Sequence, residues 1–116
     1  MANFVITQQM INITVVGLLA VAVGFVMYGY CKERDQFELC RLMIDRNHQG
    51  KGFGTIALKL SIDEMFDTYD CDRIFILVHK DNERARHIYL KYGFVSSGEM
   101  VGQEELMYFD KTNIYG

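Results

Sequence analysis

The chain contains no proline and no tryptophan, and only three of its 116 residues are cysteine. Without proline there is no proline-rich linker, and no low-complexity stretch or internal repeat divides the chain. Residues 1–116 therefore read as one domain, long enough for a single core. Cys31, Cys40 and Cys71 are odd in number and show no C-x-x-C spacing. Neither a disulfide framework nor a zinc site follows, and a reduced, cytoplasmic setting is expected. His48, His79 and His87 lack the i, i+4 spacing of a helical metal site, so no metal is expected. A basic excess is missing as well. The net charge is -3, and Lys and Arg are scattered among acids from Lys32 onward, which excludes the electrostatic footprint of a nucleic-acid binder.

The longest absence is of charge, since no Asp, Glu, Lys or Arg occurs in residues 1–31. Residues 1–20 form an atypical apolar N-terminal segment, and Ile11 to Tyr30 is almost continuously apolar and long enough to span a bilayer. Gly17, Gly24 and Gly29 interrupt it, however, and its residues are largely β-branched or aromatic, types that favour strands. No basic region precedes it, as a signal peptide would require. Two consecutive buried strands are the favoured reading, because strands covered on both faces lose their alternation. A membrane-anchored domain is the competing one.

Further along, Lys32 to Gln36 is a charged turn, and Phe37 to Asp45 reads as a strand with Phe37, Leu39, Leu42 and Ile44 apolar. Arg46 to Gly54 is a loop. Thr55 to Tyr69 places Ile56, Leu60, Met65 and Phe66 near helical spacing. Arg73 to Val78 is the clearest buried strand. Asp81 or Asn82 can cap a helix running from about Glu83 to Tyr92, which Gly93 ends. Phe94 to Ser97 and Glu104 to Asp110 are two further short strands. This order predicts an α/β (α+β) domain with a mixed sheet and helices packed on it.

The loop carries the strongest chemical signal. Gln49-Gly50-Lys51-Gly52-Phe53-Gly54 bares the backbone at alternate positions just before a helix, so that several N–H groups and the helix N-terminus can converge on a phosphate. It is not a P-loop, because no Gly-Lys-Ser/Thr follows, and it is not the dinucleotide fingerprint, because the third glycine arrives one residue early. Taken alone, it could also be a plain strand-to-helix turn.

The second block, Asn82-x-x-Ala85-x-x-x-Tyr89-x-x-x-Gly93-Phe94, lies beyond a helix and a strand. Together with Gln49-x-x-Gly52-x-Gly54 it resembles the GCN5-related N-acetyltransferases over about residues 21 to 110. Within that family, Val23 to Tyr30 and Arg41 to Asp45 look most like bacterial spermine/spermidine acetyltransferases. The resemblance implies that family's mixed, mostly antiparallel central sheet with flanking helices. It further implies acetyl-coenzyme A as cosubstrate, with a primary amine as acceptor, in particular a polyamine. The diphosphate would be held by Gln49, Gly50, Lys51, Gly52, Phe53, Gly54 and Thr55, the pantetheine arm by Met43 and Ile44, and the coenzyme again by Asn82 and Tyr89. Tyr89 lies two helical turns from Asn82, on the same face. The resemblance makes it the general acid for the departing thiolate, where without the motif it would read as a core residue.

Glu38, beside the implied thioester position, is the first choice of general base, with a water relay as the alternative and a solvated strand carboxylate as the plain reading. Tyr28 and Tyr30 are candidates for the amine pocket, and Glu99, Glu104 and Glu105 could attract a polyamine or form an ordinary wet surface. Family members usually begin with a strand and two helices that wall the substrate site, and the residues before Val21 do not resemble them. The wall is lost, supplied by a partner subunit, or cut from an incomplete gene product. An exposed sheet edge would favour a homodimer. An acetyl-coenzyme A binding module with reduced catalysis is therefore a competing function.

Overall fold

The computed structural model describes residues 11–18, 21–44 and 49–115. Expectations for residues 1–10, 19–20 and 45–48, including the first part of the loop, lie outside these. Within the uncharged region the backbone forms two strands, β1 (Ile11–Leu18) and β2 (Val21–Cys31), paired antiparallel from Ile11↔Gly29 to Leu18↔Val21. A four-residue turn leads into β3 (Gln36–Ile44), followed by helix α1 (Phe53–Thr68), β4 (Arg73–His79), helix α2 (Glu83–Tyr92), β5 (Val95–Val101), β6 (Glu104–Asp110) and a short helix α3 (Thr112–Tyr115). The six described strands form one sheet in the order β1-β2-β3-β4-β6-β5. The β3–β4 pair is parallel and the other four pairs are antiparallel. This is the mixed, mostly antiparallel sheet that the sequence predicts.

Both long helices contribute to one apolar cluster on one face of the sheet. α1 buries Ala57, Leu58, Ser61, Ile62, Met65 and Phe66, a stripe at i, i+3/i+4 spacing. The stripe differs from the predicted periodicity, because Ile56 and Leu60 point outward and are more than half exposed. Ser61 is tolerated inside because its hydroxyl donates to the Ala57 carbonyl at 2.7 Å. From the sheet, Leu39, Ile74, Ile76, Met107 and Phe109 meet this stripe, and Phe94 packs beneath α2. Each such fully buried side chain stabilises the fold by roughly 1.5–3 kcal/mol relative to exposure.

Two irregularities open the sheet at the middle of β3. A β-bulge lies where β2 pairs with β3: Tyr28 faces Leu39 and Met27 faces Arg41, so Cys40 is the extra residue. It reverses the alternation of β3. Phe37 and Leu39 contact the core before it, and Leu42 and Ile44 do so after it. Among the described residues, β3 and β4 pair only at Phe37↔Ile74, Glu38↔Phe75 and Leu39↔Ile76. Beyond the bulge the two parallel strands part, and among the described residues no β3–β4 pair follows Leu39↔Ile76.

α2 ends where the sequence predicts. Gly93 takes φ 129°, its N–H donates to the Tyr89 and Leu90 carbonyls, and a Cβ there would stand 3.0 Å from the Phe109 ring. α1 starts two residues earlier than predicted, at Phe53, so Gly54 belongs to its first turn. β5 is longer than predicted because Gly98 sits in an irregularity between Ser96 and Glu99 and does not end the strand.

Candidate functional site

Where β3 and β4 part, a cleft of about 830 Å³ opens between β3, the start of α1 and the first two turns of α2. Gly50 and Gly52 adopt φ 80° and 84°, left-handed values that a side chain resists. Gly52 is the N-cap of α1 and supplies no side-chain cap, and the first turn of α1 carries no acidic residue. The positive end of the helix dipole therefore points to the cleft with no acidic side chain in its own first turn. Thr55 lines the same mouth with its side chain exposed. Gln49 ties the loop down: its side-chain amide donates to the Ile44 carbonyl at 3.0 Å, and its Oε1 accepts from Arg84 at 3.5 Å.

The opposite wall comes from α2. Asn82 caps the helix through Oδ1, which accepts from the Ala85 N–H at 3.2 Å, so the side-chain amide nitrogen takes no part in the cap. Tyr89 lies two turns on, buried against Phe94 with ring centroids 5.8 Å apart. Burial alone pushes its phenol up to about 12, so the hydroxyl keeps its proton throughout the neutral range and acts as a donor. The arrangement can receive an anion at the α1 end, an extended chain along the free side of β3, and a reacting group beneath Tyr89.

Of the residues singled out in the sequence, Ile44, Gln49, Gly50, Gly52, Gly54, Thr55, Asn82 and Tyr89 line this cleft together. Met43, Lys51 and Phe53 are not among the residues that line it. Met43 is exposed and stands between Leu42 and Ile44, the two β3 side chains that do line it. Leu42 was not singled out, although its two-residue spacing from Ile44 is the signal that puts both on one face. Arg84, His87 and Ile88 are the other lining residues not anticipated. Arg84 and Ile88 are one helical turn apart on α2, next to the Asn82–Ala85–Tyr89 stripe.

Glu38 is not brought to the cleft. It precedes the bulge and points to the opposite face, nearly buried, where Arg34 grips both its oxygens at 2.5 and 2.9 Å and Gln36 donates at 2.7 Å. A groove of about 620 Å³ lies on that face, lined by Arg34, Gln36, Phe75, Glu99 and Tyr108 among others. Tyr28 is in the core, Tyr30 donates to Asp35, and Glu105 pairs with Arg86 at 2.7 Å. Among the described residues no group of three or more His, Cys, Asp or Glu side chains could hold a metal ion. No described helix is long and apolar enough to cross a membrane.

The fold is a mixed α/β domain with one cleft shared by β3, the start of α1 and α2, and a buried tyrosine lines it. The chain belongs to the acetyltransferase (GNAT) family, whose profile matches residues 13–94. It is 37% identical to the spermine/spermidine N(1)-acetyltransferase of Bacillus subtilis across 67% of this chain and 55% of that protein. With the spermidine N(1)-acetyltransferase of Escherichia coli the identity is 35%, across 68% of this chain and 41% of the relative. The chain thus spans about half the length of the curated relatives it matches. Among solved structures, the spermidine N-acetyltransferase of Vibrio cholerae in complex with CoA and spermine superposes with a TM-score of 0.78 at 23% identity, over 96% of this chain and 72% of that one. The PaiA N-acetyltransferase of Thermoplasma acidophilum in complex with coenzyme A gives 0.73 at 20% identity, over 86% and 60%. At these identities the likeness concerns the fold.

Proposed function

We propose that the cleft binds acetyl-coenzyme A and that the chain transfers the acetyl group to a primary amine, with a polyamine such as spermine or spermidine as acceptor. One observation carries the reading. The uncapped start of α1 behind Gly50 and Gly52, the free side of β3 after the Cys40 bulge, and Tyr89 all face one cleft. The first suits the diphosphate, the second the pantetheine arm as an added strand, and the third the sulfur. Polyamine acceptors are supported by the names of the bacterial relatives.

In the reaction the neutral amine nitrogen attacks the thioester carbonyl carbon. The attacking nitrogen gives up its extra proton to solvent as the carbon–sulfur bond breaks, and the leaving thiolate takes the Tyr89 hydroxyl proton, which solvent replaces. The acceptor must first lose its ammonium proton. Glu38 is the carboxylate next to the parting strands, but both its oxygens are held by Arg34 and Gln36. Removal through a chain of waters suits that pairing better than direct abstraction. Three free cysteines, Cys31, Cys40 and Cys71, support a reducing, cytoplasmic setting. Among the described strands β1 is an edge of the sheet, and a second copy pairing there would give the homodimer; light scattering of the purified protein decides that point.

A second reading, a coenzyme-binding module without turnover, draws on the fully engaged Glu38 and on the share of the relatives that this chain spans. One assay separates the two. Acetyl-coenzyme A is incubated with a panel of polyamines and other amines while free thiol is followed. Thiol release that depends on an amine supports the transferase. Coenzyme binding by calorimetry with no thiol release on any amine overturns it in favour of the binding module.

A further inference from the structure

The loop and the α1 terminus account for two phosphates of the coenzyme, but coenzyme A carries a third, a monoester on the ribose that leaves the axis of the diphosphate. Among the described residues lining the cleft, Arg84 is the one arginine or lysine. It stands at the second position of α2, across the mouth from the glycine loop, and its Nη2 would be 3.9 Å from a Cβ placed on Gly50. Its polar contact is a long one, 3.5 Å from Nη1 to the neutral Gln49 Oε1, and among the described residues no carboxylate forms an ion pair with it. Glu83 also lines the cleft beside it.

We propose that Arg84 recognises the ribose 3′-phosphate, so that this chain distinguishes coenzyme A from its 3′-dephospho form. The inference rests on the coenzyme reading given above. A phosphate monoester is close to a dianion at neutral pH, and a guanidinium meets it with two parallel hydrogen bonds, far stronger than the contact to Gln49 that it gives up. The exchange leaves Gln49 anchored to Ile44, so the loop stays in place while Arg84 turns to the ligand.

Calorimetry with coenzyme A and with 3′-dephospho-coenzyme A, on the wild-type chain and on Arg84→Ala, tests this. The wild type is expected to prefer coenzyme A by roughly 10- to 100-fold, the range for charge-assisted hydrogen bonds. Arg84→Ala should lose that preference while binding the dephospho form as the wild type does, which also shows the variant to be folded. Arg84→Lys should fall between. Equal affinities in the wild type, or a preference that survives in Arg84→Ala, would overturn the assignment. Equal loss of both ligands in the variant would overturn it too, by placing Arg84 on the diphosphate. Failure of the wild type to bind either form would instead remove the coenzyme reading on which it rests.

Discussion

Gly52 and Gly98 form a matched pair that isolates the ligand role of the glycine loop. Both adopt φ 84°, and at both a Cβ would meet nothing within 4 Å. Alanine at either position therefore suffers backbone strain without a clash, about 1–2 kcal/mol. For a domain of 116 residues that loss lowers Tm by roughly 4–8 °C, and the two variants should melt together. They differ in what lies before them. Gly52 caps α1 at the mouth of the cleft, whereas Gly98 lies in β5, away from it. A methyl group at Gly52 stands in the space through which an anion reaches the first N–H groups of α1, and losing one such charge-assisted bond costs about 1.5–3 kcal/mol. Gly52→Ala should thus weaken coenzyme A binding by roughly 10- to 100-fold, while Gly98→Ala leaves it unchanged. Calorimetry at a temperature where both variants are folded reads the difference. Equal affinities in the two variants would refute the phosphate-cradle reasoning, because strain would then be the whole effect.

Tyr89→Phe should lower turnover by roughly 10²-fold if the phenol supplies ordinary general-acid catalysis, with coenzyme affinity little changed. Because burial holds Tyr89 near 12 where a free phenol titrates at 10, the wild-type rate should show no alkaline loss assignable to this group between pH 7 and 10; a loss in that window that Tyr89→Phe abolishes would contradict the burial. Gly93→Ala combines a forbidden φ with a contact at 3.0 Å to Phe109, so its urea midpoint should fall further than that of Gly98→Ala, which suffers strain alone. The hydrogen bond from Arg86, with a smaller one from Ser96, lowers the Glu105 pKa in the folded state. A depressed carboxylate stabilises above its unfolded value near 4.3 and loses that contribution as pH falls through its folded value. Glu105→Gln should therefore lower the urea midpoint at pH 7 and leave it unchanged by pH 2–3, measured by urea unfolding at both.

The motif residues were legible because their chemistry depends on backbone conformation and helix spacing, which are local. Gly50, Gly52 and Gly93 do take positive φ, and Asn82 does cap α2. The two N-terminal strands were legible from β-branched composition in spite of a length that suits a membrane span. What the sequence hid was the phase of β3. Regular alternation through the strand cannot put Leu39 and Leu42 on one face, and only the extra residue at Cys40, fixed by pairing with β2, resolves it. That extra residue turns Glu38 away from the cleft and Leu42 and Ile44 toward it. Arg84 escaped notice because it occupies a variable position of the motif and gains its meaning only from α2 facing the loop. The buried stripe of α1 is ambiguous in sequence for a similar reason. Ile56 and Leu60 have helical spacing too, but the sheet selects Leu58, Ile62 and Met65.

The parting of β3 from β4 has a consequence for exchange with solvent deuterium. On a strand, successive amides point to opposite neighbours, and β3 keeps its β2 partner along its whole length but its β4 partner only as far as Leu39. Between Cys40 and Ile44 the amides directed at β2 should exchange slowly and those directed at the cleft quickly, an every-second-residue pattern within one strand. A ligand arm lying along that free side would erase the pattern, giving a residue-by-residue readout of occupancy that needs neither turnover nor a known acceptor.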